Sequence, residues 1–188
     1  MGTIYQFTPQ KLVTGFLFSS SYYLEQVLST MTKEFGPIDY QSRDIAFTFT
    51  KYYEKEMGGN LHRRFVSFEP LVDPSQLAEI KIKTNDIEEH FSAGLSHSAQ
   101  SENTENSGRC VNIDPGLLCE SKLLLASTKD HAHRVPLNNG IYAELTLMYR
   151  NKQFESMEWT FPDYRTPEYH EILTEIREIY RRQLKQMR

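Results

Sequence analysis

Hydrophobic and polar positions follow two different periods near the start of the chain. The stretch KLVTGFLFSS (11–20) is a short apolar run, which predicts a buried strand. In the next stretch, YYLEQVLSTMTKEF (22–35), apolar residues recur at every fourth position from Tyr23 to Phe35. This period predicts an amphipathic helix that ends at Gly36-Pro37.

The middle of the chain changes period twice more. DIAFTFT (44–50) and HRRFVSFEPLV (62–72) alternate apolar and polar residues, as half-buried strands do. DPSQLAEIKIKTNDIEEHF (73–91) starts with a capping Asp and a Pro suited to a first helical turn, so it predicts a second helix. Residues 92–108 are rich in Ser, Asn, Gln and Gly. A segment of that composition buries too little surface to offset its ordering entropy, so a flexible loop is predicted.

Two elements are predicted directly after this loop. RCVNID (109–114) is expected to be a strand that ends at the turn signal Asp114-Pro115-Gly116. LLCESKLLLAST (117–128) is expected to form a helix or a helical turn.

The C-terminal part predicts a hairpin and a helix. HRVPL (133–137) and GIYAELTLMYR (140–150) are joined by Asn138-Asn139-Gly140, a strong hairpin signal because Asn and Gly accept positive φ. QFESMEW (153–159) is expected to pair with the second strand. The stretch from Thr166 onward predicts the clearest helix, with Thr166 as its cap.

The order of these elements predicts the fold. Strand, helix, strand, strand, helix and strand in succession is the order of a ferredoxin-like split βαβ unit. We therefore predict an α+β fold in which a ferredoxin-like sheet is extended by a C-terminal hairpin and a final helix. Residues 1–188 are expected to form a single domain, since this length supports one substantial core.

Composition narrows the class of protein. Hydrophobic residues make up 39% and charged residues 24% of the chain, which is typical of a globular protein. The net charge of −4 argues against bulk nucleic-acid binding. No apolar run approaches the roughly 18 residues of a membrane span, and the start does not resemble a signal peptide, so a cytoplasmic location is predicted. Cys110 and Cys119 are interpreted as small buried hydrophobic residues.

Five stretches of the chain resemble the bacterial family DUF4416. They are FTKYYEKEMG (49–58), LHRRFVSFEPLVDPSQLAEIKIKTNDIE (61–88), VNIDPGLL (111–118), LASTKDHAHRVPLNNGIYAELTLMYR (125–150) and WTFPDYRTPEY (159–169). The similarity runs from about Lys11 to the last helix. The family implies little about function. Some members are labelled GTP-binding, but this chain has no G-x-x-x-x-G-K-S/T phosphate loop.

Candidate residues for ligand binding or catalysis are concentrated in STKDHAHRVPLNNGIYAE (127–144). Lys129, His133 and Arg134 offer donors for a phosphate or a carboxylate. Asp130 is suited to orient His133 for proton transfer. An equally compatible interpretation is structural, with Asp130 capping the turn or pairing with Arg134 and the histidines in solvent.

Charged residues on three predicted strands are further candidates. Asp114 is expected at a strand end, facing either a cleft or its own turn. Arg63 and Arg64 must point to opposite faces of one strand, so one of them is expected to need a buried acidic partner such as Glu69 or Glu144. Glu144 lies in an otherwise apolar strand and is the best candidate for a buried, paired carboxylate.

Two weaker patterns leave alternatives open. In WTFPDYR (159–165), Trp159 and Tyr164 beside an arginine are suited to stack a base, or they belong to an aromatic loop packed over the sheet. His131 and His133, with Asp114, Asp130 or Glu144, form a possible metal-ligand set, although H-x-H alone is a weak signal.

The leading hypothesis is a polar pocket that binds a phosphate-bearing small molecule or a nucleotide. His133 and Asp130 would act as acid and base if a reaction occurs. The predicted ligand-binding residues are Arg64, Asp114, Lys129, Arg134, Glu144, Trp159 and Tyr164. The alternatives are a non-catalytic module for protein or RNA interaction and a metal-dependent hydrolase. The sequence predicts no particular cofactor and no membrane partner.

Overall fold

The structure, a computed structural model, describes residues 2–98 and 109–187. These residues form nine strands and four helices, together with two 3-10 turns, Pro74–Gln76 and Asp163–Arg165. The strands are β1 (Gln10–Phe18), β2 (Ile38–Gln41), β3 (Ile45–Ala46), β4 (His62–Val72), β5 (Val111–Leu118), β6 (Lys122–Ser127), β7 (Arg134–Pro136), β8 (Tyr142–Arg150) and β9 (Gln153–Ser156). The helices are α1 (Ser21–Phe35), α2 (Glu54–Met57), α3 (Leu77–Ser98) and α4 (Pro167–Gln186).

The strands form one sheet in the order β2-β4-β1-β5-β6-β8-β7, with β3 beside β4 and β9 beside β8. Neighbouring strands run antiparallel. The predicted α+β class is therefore confirmed. The central strand β1 alternates its side chains between two cores. Phe16 contributes to one core and Val13 to the other, as the period of two requires.

Helices cover both faces of the sheet. Leu24, Val27 and Met31 of α1 share a buried cluster with Ile80 of α3. On the opposite face α4 buries Ile172, Ile176 and Leu184 in a cluster with side chains of β1, β6 and β8. The capping Thr166 accepts a hydrogen bond from the backbone N–H of Tyr169, as predicted for the helix start.

The predicted hairpin between β7 and β8 is confirmed. Asn139 and Gly140 have φ values of 57° and 74°. The Leu137 N–H donates to the Ile141 carbonyl over 2.8 Å and closes the turn. β9 pairs with β8, as the sequence predicts.

Two predictions after residue 108 are wrong. β5 does not end at Asp114 but continues through Pro115 and Gly116 to Leu118. Residues 117–128 are not helical. They complete β5, turn, and return as β6. Pro115 has no N–H to donate, and pairing with β6 begins at the next residue, so the proline marks the point where the two strands separate.

Two boundaries also differ from prediction. Of the strand predicted at 44–50, Ile45–Ala46 is extended and paired, and the chain leaves the sheet after it. Helix α3 continues to Ser98, so the predicted loop at 92–108 begins inside a helix, where the Ser92 hydroxyl donates to the Glu88 carbonyl. The rest of that loop lies outside the described residues. Among the helices that the structure describes, none combines the length and apolar character needed to span a membrane.

Candidate functional site

A cavity of about 620 Å³ opens where β5 and β6 separate. The two strands pair over three residues each, beginning at Gly116, although β5 starts earlier and β6 ends later. The ends of β5 and β6 that do not pair with each other line the cavity. Residues of α3, the segment 47–53, the loop after β6 and the segment 161–164 complete the lining. Side chains from α3 and from the segment that precedes α4 therefore meet in one space.

Arg63 forms a deeply buried charged part of the cavity wall. Its side chain is 3% exposed, and its Nη1 and Nη2 donate to Asp114 over 2.8 Å and to Asp163 over 3.3 Å. Its guanidinium also lies over the Phe47 ring, 5.4 Å from the centroid. Gly15 makes room for this arrangement, since a Cβ there would lie 3.1 Å from Arg63 Nη1.

The two carboxyl groups beside Arg63 have opposite pKa shifts. Burial acts to raise the pKa of Asp114, but the charges of Arg63 and Lys81 more than offset it, so this pKa lies below its usual value. At Asp163 burial prevails over the attraction of Arg63, and the nearby Asp114 adds to it, so the pKa is raised. The cavity thus holds one carboxyl group whose pKa lies below its usual value and one whose pKa lies above it.

A second charged cluster lies at the α3 side of the cavity. Lys81 Nζ donates to the Ile113 carbonyl over 2.8 Å. Arg109 pairs with Glu88 at 2.6 Å and with Glu56 at 3.1 Å. Burial raises the pKa of Glu88 despite the charges of Lys81 and Arg109. Lys81 and Arg109 line the cavity, whereas the two glutamates lie behind it.

The predicted buried carboxylate at Glu144 is confirmed, but neither Arg63 nor Arg64 pairs with it. Its side chain is 1% exposed and accepts a hydrogen bond from Arg134 Nε over 2.8 Å. Arg134 lies opposite Glu144 in the β7–β8 register, which explains the pairing. Arg134 Nη1 also donates to the Ser127 hydroxyl and to the Lys129 carbonyl, so it fixes the loop after β6.

The structure pairs His133 with Glu144 rather than with Asp130. His133 Nε2 lies 3.1 Å from Glu144 Oε2, because β7 and β8 bring these residues together. Asp130 is exposed, and neither it nor His133 lines the cavity, whereas the neighbouring His131 does. His131 and His133 stack with their ring centroids 5.7 Å apart, and His133 stacks on Trp159 at 5.2 Å.

Trp159 and Tyr164 are held by internal contacts. Trp159 Nε1 donates to the Leu145 carbonyl over 2.8 Å. Tyr164 lines the cavity but is 2% exposed, and its ring packs edge to face against Phe65 and Tyr169. Both rings therefore match the interpretation of an aromatic loop packed over the sheet, and the buried Tyr164 offers no free face for a base.

Arg64 lies on the other face of the sheet, away from the cavity. It donates to Asp44 over 2.5 Å and to Glu25 over 2.8 Å. The alternation of β4 does place Arg63 and Arg64 on opposite faces, as predicted, but Arg63 is the cavity residue. Among the predicted residues, the structure brings five together around the cavity: Asp114, Lys129, Arg134, Glu144 and Tyr164.

The mouth of the cavity is aromatic. Phe49, Tyr52 and Phe161 line it and are 40%, 58% and 46% exposed. The Lys129 ammonium lies 5.2 Å from the centroid of the Tyr52 ring. The sequence places Arg63 on one face of a strand without assigning it to the site, and it does not single out Asp163 or the rings of the segment 47–53. The adjacent arginines of HRRF and the aromatic spacing of FTFTKYY are the signals that point to Arg63 and to these rings.

The cavity lining carries an excess of positive charge. It contains five cationic side chains, those of Arg63, Lys81, Arg109, Lys129 and Arg134, against the three acidic ones of Asp114, Glu144 and Asp163. The whole chain, in contrast, has a net charge of −4. Within the described part of the chain, no group of three or more His, Cys, Asp or Glu side chains is placed to hold a metal ion.

Comparisons with known proteins identify a family without a described activity. The sequence model of a family described as a domain of unknown function, DUF4416, matches residues 8–180. No curated protein matches the chain, and no solved structure matches it.

Proposed function

The chain belongs to the DUF4416 family, and we propose that the cavity between β5 and β6 binds a phosphate-bearing small molecule, with a nucleotide as the leading candidate. The observation that carries this proposal is the excess of cationic side chains around a concave site in an acidic protein. Cavities of roughly 300–1,000 Å³ are typical of small-molecule sites, and this one falls inside that range.

The five cations differ in what they can offer to an anion. Arg63, Arg109 and Arg134 are each paired with one or two carboxylates, so they are held in place and their charges are largely balanced. Lys129 is exposed and, among the described residues, has no carboxylate partner. Its ammonium is therefore free to turn from the Tyr52 ring to a phosphate oxygen, where a charge-assisted hydrogen bond is strong.

If the protein catalyses a reaction, the geometry favours Asp114 and Asp163 for proton transfer. Both line the cavity and share Arg63, and their pKa values are shifted in opposite directions. Such a divergence is a mark of acid and base pairs. The catalytic roles of Asp130 and His133 stay predictions, with both residues outside the lining.

Binding of nucleotides, measured by thermal shift and by calorimetry, tests the proposal. We expect at least one member of a panel of nucleotides and sugar phosphates to raise the melting temperature of the wild type. Lys129→Ala should weaken that affinity by about tenfold, the scale of one lost charged hydrogen bond. Lys33→Ala, an exposed lysine in α1, is the matched control and should bind like the wild type. A wild type that no panel member stabilises overturns the proposal.

We also propose that the first half of the chain is a ferredoxin-like unit. β1 and β2 are joined through α1 but are separated in the sheet by β4. β4 and β5 are joined through α3 but are separated by β1. Both helices contribute to one core on the same face, which supports the split βαβ arrangement.

A further inference from the structure

Exposed aromatic rings gather at the mouth of the cavity. The described residues include nine large hydrophobic side chains that are exposed, and three of these, Phe49, Tyr52 and Phe161, surround this opening. They come from two segments that are far apart in the sequence, so the fold itself brings them together. Exposed apolar surface of this kind around a concavity is a mark of ligand-binding sites.

Tyr52 is the ring best placed to receive a planar group. It is the most exposed of the three. Tyr53 supports it edge to face, with the ring centroids 5.1 Å apart and the planes at 88°. The Lys129 ammonium lies 5.2 Å from its centroid. A ligand that carries both a flat ring and an anionic group can therefore contact Tyr52 and Lys129 together.

We propose that the ligand class is the nucleotides, with the base stacked on Tyr52 and the phosphate paired with Lys129. This inference rests on the proposed function and goes beyond it, because a sugar phosphate or inorganic phosphate would use only the cationic part of the site. Stacking on an aromatic side chain tolerates every base, since each base has a π face. The site therefore selects for the presence of a base more strongly than for its identity.

Calorimetric titration with GMP, AMP and ribose 5-phosphate separates the contribution of the base to affinity from that of the phosphate. The wild type should bind both nucleotides about tenfold or more tightly than ribose 5-phosphate, which is the scale of one stacked base. Tyr52→Leu should remove most of that difference and leave ribose 5-phosphate binding within about twofold. Tyr52→Phe should retain it. Tyr5→Leu is the matched control, since Tyr5 is 81% exposed and lies outside the cavity lining.

The outcomes distinguish this inference from the proposed function. If the wild type binds ribose 5-phosphate as tightly as the nucleotides, or if Tyr52→Leu weakens all three ligands equally, the stacking inference is overturned while phosphate binding stands. If the wild type binds none of these ligands, the proposed function fails and the inference fails with it. Tyr52 is 58% exposed, so its truncation leaves the core intact.

Discussion

At the scale of the residue, Arg63 determines the shape and charge of the cavity wall. It is almost fully buried and joins β4 to Asp114 of β5 and to Asp163 before α4. Removal of one partner from a buried ion pair leaves the others desolvated and uncompensated. We therefore expect the guanidinium to be needed for folding.

Arg63→Ala is expected to destabilise the fold by about 3–5 kcal/mol, because Asp114 and Asp163 would lose their shared partner. Arg43→Ala is the matched control. Arg43 is 79% exposed and pairs with Glu168 at the surface, so its loss should cost at most about 1 kcal/mol. Urea denaturation measures the free energy of unfolding of both variants. Equal losses for the two variants would contradict the role given to Arg63.

The opposite pKa shifts of Asp114 and Asp163 predict opposite pH dependences. Asp114 has a lowered folded pKa, so its contribution to stability is complete above its ordinary pKa of 3.8 and is lost as the pH falls through the folded pKa. Asp163 has a raised folded pKa, so the wild type loses stability as the pH rises from 3.8 through that folded pKa.

Asp114→Asn and Asp163→Asn, denatured in urea from about pH 3 to about pH 7, test these signs. Relative to the wild type, Asp163→Asn should gain stability as the pH rises above 3.8. The deficit of Asp114→Asn should grow as the pH rises toward 3.8 and then stay constant. If the stabilities of the two variants depended on pH in the same way, the opposite pKa shifts of Asp114 and Asp163 would be contradicted.

Residue patterns alone predicted part of this site. The period of a strand places Arg63 and Arg64 on opposite faces, and an apolar strand around Glu144 predicts its burial. The sequence does not say which face of β4 meets the cavity, because that depends on where α4 and the segment 47–53 pack. Nor does sequence proximity choose the partner of His133, since pairing of the adjacent Arg134 with Glu144 across β7 and β8 brings that glutamate within 3.1 Å of His133.

At the scale of the element, the cavity exists because β5 and β6 pair over only part of their length. Asp114-Pro115-Gly116 has the composition of a turn, and a single sequence cannot show that β1 pairs with all three residues and keeps them extended. The apolar run LLLA is compatible with a helix or a strand. It forms a strand because it pairs with β5 and β8. Non-local pairing outweighed local propensity here.

Gly116→Ala is expected to disturb the point where the two strands meet. A Cβ at this position would lie 2.5 Å from the Leu124 carbonyl oxygen, so β6 would have to move away. We expect a loss of about 1–3 kcal/mol in the free energy of unfolding, as for other overpacked sites. Gly59→Ala is the matched control, because a Cβ there meets nothing within 4 Å. Equal denaturation midpoints for the two variants would contradict the close approach of β5 and β6.

At the scale of the whole molecule, the partial opening of the sheet brings α3 and the segment before α4 to one cavity. α1 and α3 cover one face and α4 covers the other, yet Lys81 of α3 and Tyr164 near α4 line the same cavity. The chain as a whole is acidic, whereas cationic side chains outnumber acidic ones in the cavity lining, so the proposed attraction for an anion would be local to this opening.

The most direct test of this account is a titration of the ¹⁵N-labelled protein with GMP, followed by amide chemical shifts. Binding in the cavity predicts shifts concentrated in residues 47–53, 109–116, 125–134 and 161–165, and Lys129→Ala should require more nucleotide to reach the same shifts. The absence of shifts, or shifts gathered on the opposite face around Arg64 and α1, would contradict the claim that this cavity is a binding site for phosphate-bearing ligands.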